Sequence, residues 1–114
     1  MDSLTLTAVA DEQVAAARRA SSGRSARTTH GGHEHALHQT VLALAAGRAL
    51  DDHESPGEAT LQVLAGRVRL TVGEESWEGT TGTYLVIPKQ RHRLDALEDS
   101  AILLTVVASA PQPR

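Results

Sequence analysis

The sequence predicts an all-β domain, a sandwich or barrel, preceded by one short α-helix. Two observations carry this expectation. Short apolar, β-branched-rich runs recur from about residue 41 onward at intervals of roughly 8 to 12 residues, the spacing of all-β folds. Turn residues punctuate them: Gly47, Ala65-Gly66-Arg67, Gly73-Glu74-Glu75, Thr80-Thr81-Gly82, Pro88 and Glu98-Asp99-Ser100.

The elements follow in order. Residues 1 to 10 form a short lead that either pairs as an edge strand or precedes the helix. Asp11 to about Ala20 reads as that helix, with acids in its first turn and Arg18-Arg19 in its last, matching the helix dipole at both ends; Ser21, Ser22 and Gly23 stop it. Its arginines read as a solvated face. Residues 24–40 are a polar stretch, followed by the apolar run Val41–Ala46, whose Ala and Leu would permit a helix but whose flanking Gly31-Gly32 and Gly47 favour a buried strand. Leu61–Leu64 and Val68–Val72 make a hairpin. Ser76–Glu78, Tyr84–Ile87, His92–Ala96 and Ala101–Val107 complete the series, with Pro88 ending its strand because it cannot donate to a ladder.

Composition bounds the function. At 114 residues the chain is one domain, expected as a lead and helix over 1–23, a barrel over 24–108 and a tail over 109–114. It has no Phe, one Trp and one Tyr, so the core must be aliphatic and an aromatic platform for bases or sugars is disfavoured. A net charge of -3 disfavours direct nucleic-acid binding. Without cysteine there is no thiolate nucleophile, disulfide or zinc-thiolate site, leaving His, carboxylate, hydroxyl and Arg chemistry. No apolar run reaches the roughly 18 residues of a membrane helix and no signal peptide is evident, so a cytoplasmic protein without membrane contact is expected.

The stretch Gly47–Gly66 is the centre of the functional reading, with His53 beside the turn Ser55-Pro56-Gly57 and a strand to follow. On two motifs the chain resembles the small single-domain cupins over roughly residues 37–108. The first family motif is Gly, five residues, His-x-His, three or four residues, Glu, six residues and Gly. Gly47, His53 and Gly66 fall in place, while Ser55 stands for the second histidine and Ala59 for the glutamate. The second is Gly, five residues, Pro-x-Gly, two residues and His. Gly82 and Pro88 match, Gln90 replaces the glycine, and His92 arrives one residue early.

The resemblance implies a jelly-roll β-barrel (double-stranded β-helix), a homodimer, and a pocket in which His53 and His92 meet. It implies a divalent metal there (Fe, Mn, Ni or Zn), for which two histidines and one carboxylate are a common set. Glu58, Gln62 and His38 are further candidate ligands, and Glu54 lies near His53 in sequence. Strand alternation sends Gln62 to the face opposite Ala59, Leu61 and Val63. Without metal, His53 and His92 are candidate catalytic groups, acting as general acid and base. Arg91 and Arg93 flank His92 and so project from the opposite face, toward Asp95 or Glu98.

A second cluster, His30, His33, His35 and His38, reads as a solvated loop, as extra ligands to the pocket, or as a lid. Three functions therefore stand: a metal-dependent enzyme of oxidoreductase or isomerase type, a metal-free small-molecule binding or sensing module, and a regulatory domain acting through a protein partner.

Overall fold

The computed structural model describes residues 1–54 and 57–107. The expected turn residues Ser55 and Pro56, and the tail over 109–114, lie outside the described residues. One helix, α1 (Leu6–Arg19), precedes nine strands: β1 (Arg24–His30), β2 (Leu37–Leu44), β3 (Ala49–His53), β4 (Ala59–Ala65), β5 (Arg67–Val72), β6 (Glu75–Thr80), β7 (Tyr84–Val86), β8 (His92–Ala96) and β9 (Ser100–Val107). They form two sheets, one ordered β1-β2-β9-β4-β7 and the other β3-β8-β5-β6. All recorded pairings are antiparallel. Two facing antiparallel sheets of this order make a jelly-roll barrel.

The larger sheet is apolar on both faces where α1 covers its middle strands, which explains their sequences. Leu44, Leu61, Val63 and Ile102 point into the barrel with Val68, Leu70, Leu94 and Ala96 of the smaller sheet. Val41, Ala43 and Ala101 point the other way, onto Val9, Ala10 and Ala17 of α1. The nearly continuous Val41–Leu44 run is thus a strand covered on both sides, as such runs are when strands are buried on both faces. Each Leu or Val fully withdrawn from water contributes on the order of 1.5–3 kcal/mol.

Two expectations are corrected. The helix begins at Leu6, not Asp11, and its first turn carries no acid. Leu6, Val9, Ala10, Val14 and Ala17 recur at helical spacing and pack on the sheet, so residues 6–10 of the lead are helix, not an edge strand. The polar segment 24–30 is strand β1, held by pairing from Arg24↔Leu44 to His30↔Gln39. It is an edge strand, so its mostly exposed side chains need no apolar pattern. Ala49–His53, which carries no assignment from sequence, is strand β3, despite two aspartates that strands usually disfavour. The aspartates sit at a register irregularity between Leu50 and His53, where the ladder to β8 is interrupted.

Candidate functional site

Pairing of β3 with β8 brings the two motif histidines together. His53 and His92 are direct cross-strand partners, and their rings meet edge to face with centroids 4.4 Å apart. His92 is 3% exposed, whereas His53 is exposed at the mouth. Beyond them lies a small chamber walled by Leu50, Leu61, Leu70, Ile87, Leu94, Ile102, Leu104 and Val106, with Glu54 also at its lining and a cavity of about 70 Å³. Its floor is apolar, and its polar groups are the two imidazoles and the Glu54 carboxylate.

The two rings are oriented in the same way. Nδ1 of His53 lies 2.8 Å from the Asp51 carbonyl, and Nδ1 of His92 lies 2.9 Å from the Gln90 carbonyl. A carbonyl only accepts, so each Nδ1 donates and each neutral ring keeps its lone pair on Nε2. Neither Nε2 has a hydrogen-bond partner among the described residues, and no described buried side-chain nitrogen or oxygen is left without one. The His92 ring lines the chamber, and its Nε2 is not sealed in protein. These orienting carbonyls could not be read from side-chain identities, because the backbone supplies them two residues upstream in both cases.

The remaining candidates lie elsewhere. Gln62 is exposed and pairs with Tyr84 on the outer face, so alternation keeps it from the chamber. Glu58 is exposed and outside the cavity lining. His38 pairs with Val106 and shares its face, but its Nε2 donates to the His35 carbonyl at 2.8 Å and its ring does not line the cavity. Arg93 turns outward to Asp51 and Asp95, at 3.1 and 3.2 Å. Arg91 lies 3.9 Å from Asp52. Both are exposed, and they project away from His92 as strand alternation requires.

The donor set meets a metal only in part. Two imidazoles bound to one tetrahedral ion, each with nitrogen about 2.0–2.1 Å from it, hold their centroids about 5 Å apart, close to the 4.4 Å found. Donation of the second ring nitrogen to a carbonyl is also the usual outer support of a metal-binding histidine. Further ligands are missing, however. The family's glutamate position is the buried methyl of Ala59, and Ser55 lies outside the described residues. Among the described residues, no group of three or more His, Asp or Glu side chains is arranged to hold an ion. The residues present do not fit the family's full metal set.

The motif glycines have distinct structural roles. Gly47, Gly66 and Gly82 have φ of +84°, +82° and +92°, the left-handed region where a side chain is strained. At Gly66 a Cβ would also strike the Asp99 carbonyl and Ser100, whereas at Gly47 and Gly82 it would meet nothing within 4 Å.

No family model matches the chain, and no curated protein matches it. Solved structures do. A conserved protein of unknown function from Streptococcus pyogenes is 29% identical, with 81% of this chain and 80% of that chain covered and a TM-score of 0.71. A cupin superfamily protein from Desulfitobacterium hafniense is 13% identical over 75% of this chain and 78% of that one, with a TM-score of 0.69. An RmlC-like cupin from Desulfovibrio desulfuricans is 23% identical over 74% and 81%, with a TM-score of 0.64.

Proposed function

We propose that this small domain of cupin fold binds a small molecule whose polar end donates hydrogen bonds to His53 and His92 and whose apolar end enters the chamber, without needing a metal. The chain is a cupin by fold, and two imidazoles that line one apolar cavity, each with its Nδ1 engaged by a backbone carbonyl and its Nε2 left to accept, carry the rest of the reading. Lone pairs call for a donor, and the Glu54 carboxylate at the mouth favours a cationic one. An apolar cavity of 150 Å³ accommodates benzene, so about 70 Å³ encloses roughly three non-hydrogen atoms by proportion. A short hydroxyalkyl or aminoalkyl group meets both demands, with the remainder of the ligand lying at the open mouth.

A panel of propanol, propylamine and propionate, followed by ligand-observed NMR, tests this. The alcohol and amine should bind and lose binding in His92→Leu. Preference for the carboxylate, or binding that survives His92→Leu, would overturn the assignment.

A second reading has its own support. The Nδ1 bonds to Asp51 and Gln90 are those of metal-supporting histidines. In that case His53 and His92 would hold a divalent ion between them, without a third ligand from the described side chains. When bound, such an ion supplies Lewis acidity of the kind isomerase or oxidoreductase chemistry uses. Near-stoichiometric metal in tag-free protein, lost in both His53→Ala and His92→Ala, would favour it over the metal-free form.

A further inference from the structure

Six large hydrophobic side chains are exposed among the described residues: Met1, Leu4, Leu37, Tyr84, Val86 and Val107. Scattered singly they would need no explanation, but five of them share one surface. Pairing sets Leu37 opposite Val107, Val86 opposite Thr60 and Tyr84 opposite Gln62. Thr60 and Gln62 in turn face Thr105 and Leu103 of β9. Alternation puts all of these on the outer side of the larger sheet, because Leu61, Leu104 and Val106 between them line the chamber. Leu4 reaches the same side, bordering an outer hollow with Leu37, Gln39 and Leu103.

Helix α1 covers one end of this side, at Val41, Ala43 and Ala101. The other end is open, with Tyr84 61% and Val86 64% exposed. It is also uncharged. Its polar positions are Gln39, Thr60, Gln62 and Thr105, and the Gln39 side-chain amide donates to the Thr105 hydroxyl at 3.2 Å. Charged side chains stand at its border, Asp2 beside Leu4 and Glu58 next to Val107, whose amide donates to the Glu58 carbonyl. The outer side of the smaller sheet is the opposite case, carrying the ion pairs Arg69–Glu78 and Arg93–Asp95.

This charge pattern selects the occupant. Across a two-fold axis, residues near the axis meet their own copies, so a charge there would meet a like charge. An uncharged apolar face escapes that repulsion, and it offers a strongly acidic or basic partner nothing to pair with. Homodimer interfaces are also the more apolar class, with aromatic side chains enriched and charged ones depleted at the core. We propose that the open end of this face, built on Leu37, Tyr84, Val86 and Val107, is the contact between two copies of the chain, sheet packed on sheet about a two-fold axis.

Sedimentation equilibrium of the full chain without an affinity tag, at concentrations up to about 100 μM, tests this. The mass should approach twice the 12.1 kDa of one chain. Tyr84→Lys and Val86→Lys lie at positions open to water and set a charge against its own copy, so each should weaken association at least about tenfold. Circular dichroism should show the fold kept. Val86→Thr retains the β-branched shape without a charge and should weaken association by a smaller factor, which keeps the test decisive should a lysine disturb β7. Arg69→Glu, on the outer side of the smaller sheet, should leave association unchanged. A single-chain mass at about 100 μM, association indifferent to the β7 variants, or association lost in Arg69→Glu would overturn the proposal. Monomeric binding to phosphatidylcholine vesicles that Val86→Lys abolishes would overturn it as well, by giving the face to a membrane surface.

Discussion

Replacing Gly66 with alanine should destabilise the domain far more than the same change at Gly47 or Gly82, although all three are motif glycines with positive φ. At each, alanine in the left-handed region costs about 1–2 kcal/mol. Only at Gly66 does the added carbon collide, with the Asp99 carbonyl, with the Ser100 hydroxyl, and with Ser100 Cα at 2.9 Å. Ser100 is 1% exposed, and its Oγ accepts from the Arg67 amide at 3.0 Å and donates to the Glu98 carbonyl at 2.7 Å. Backbone and a bonded, buried hydroxyl cannot swing aside as a flexible side chain would. Overpacking of this kind adds about 1–3 kcal/mol, for a total of roughly 2–5 kcal/mol. Thermal unfolding followed by fluorescence of Trp77, the only tryptophan, measures it. Gly66→Ala should melt roughly 10 °C below the two control variants. If all three unfold together, the turn relaxes freely and the collision argument is wrong.

Three other outcomes are expected. Ser100→Ala leaves the Arg67 amide without its partner and should cost about 1–3 kcal/mol by urea unfolding. Leu61→Ala, at a residue 1% exposed, should cost about 2–5 kcal/mol; because Leu61 lines the chamber, it should also shift ligand preference toward longer alkyl ends in the NMR panel. Arg93→Ala breaks exposed ion pairs with Asp51 and Asp95, so it should change stability by less than about 1 kcal/mol and leave chamber binding intact.

The barrel was legible because its strands announce themselves twice, in apolar alternation and in turn residues at fixed distances. The meeting of His53 and His92 was legible only through the resemblance, since cross-strand register between residues so far apart leaves no local trace. What escaped the sequence is equally specific. β1 and β3 are edge strands, paired on one side only, and their exposed side chains carry no burial pattern. The helix start was hidden because Thr5 makes no side-chain cap bond, and the acids at Asp11 and Glu12 imitate a first turn. None of His30, His33, His35 and His38 lines the chamber. The stack of His35 on His30, with centroids 4.5 Å apart, depends on a turn at Gly32, at φ +99°, whose direction side-chain identities do not specify.

The position of β9 also governs how this chain can assemble. Residues 100–107 fill the gap between β2 and β4, so those two strands have no direct ladder to each other and must wait for a segment made long after both. Until it inserts, the hydrogen-bonding edges of β2 and β4 that it fills stand open to neighbouring molecules. Such a topology, rich in non-local pairing, is slow to reach its final form and most exposed to self-association on the way there.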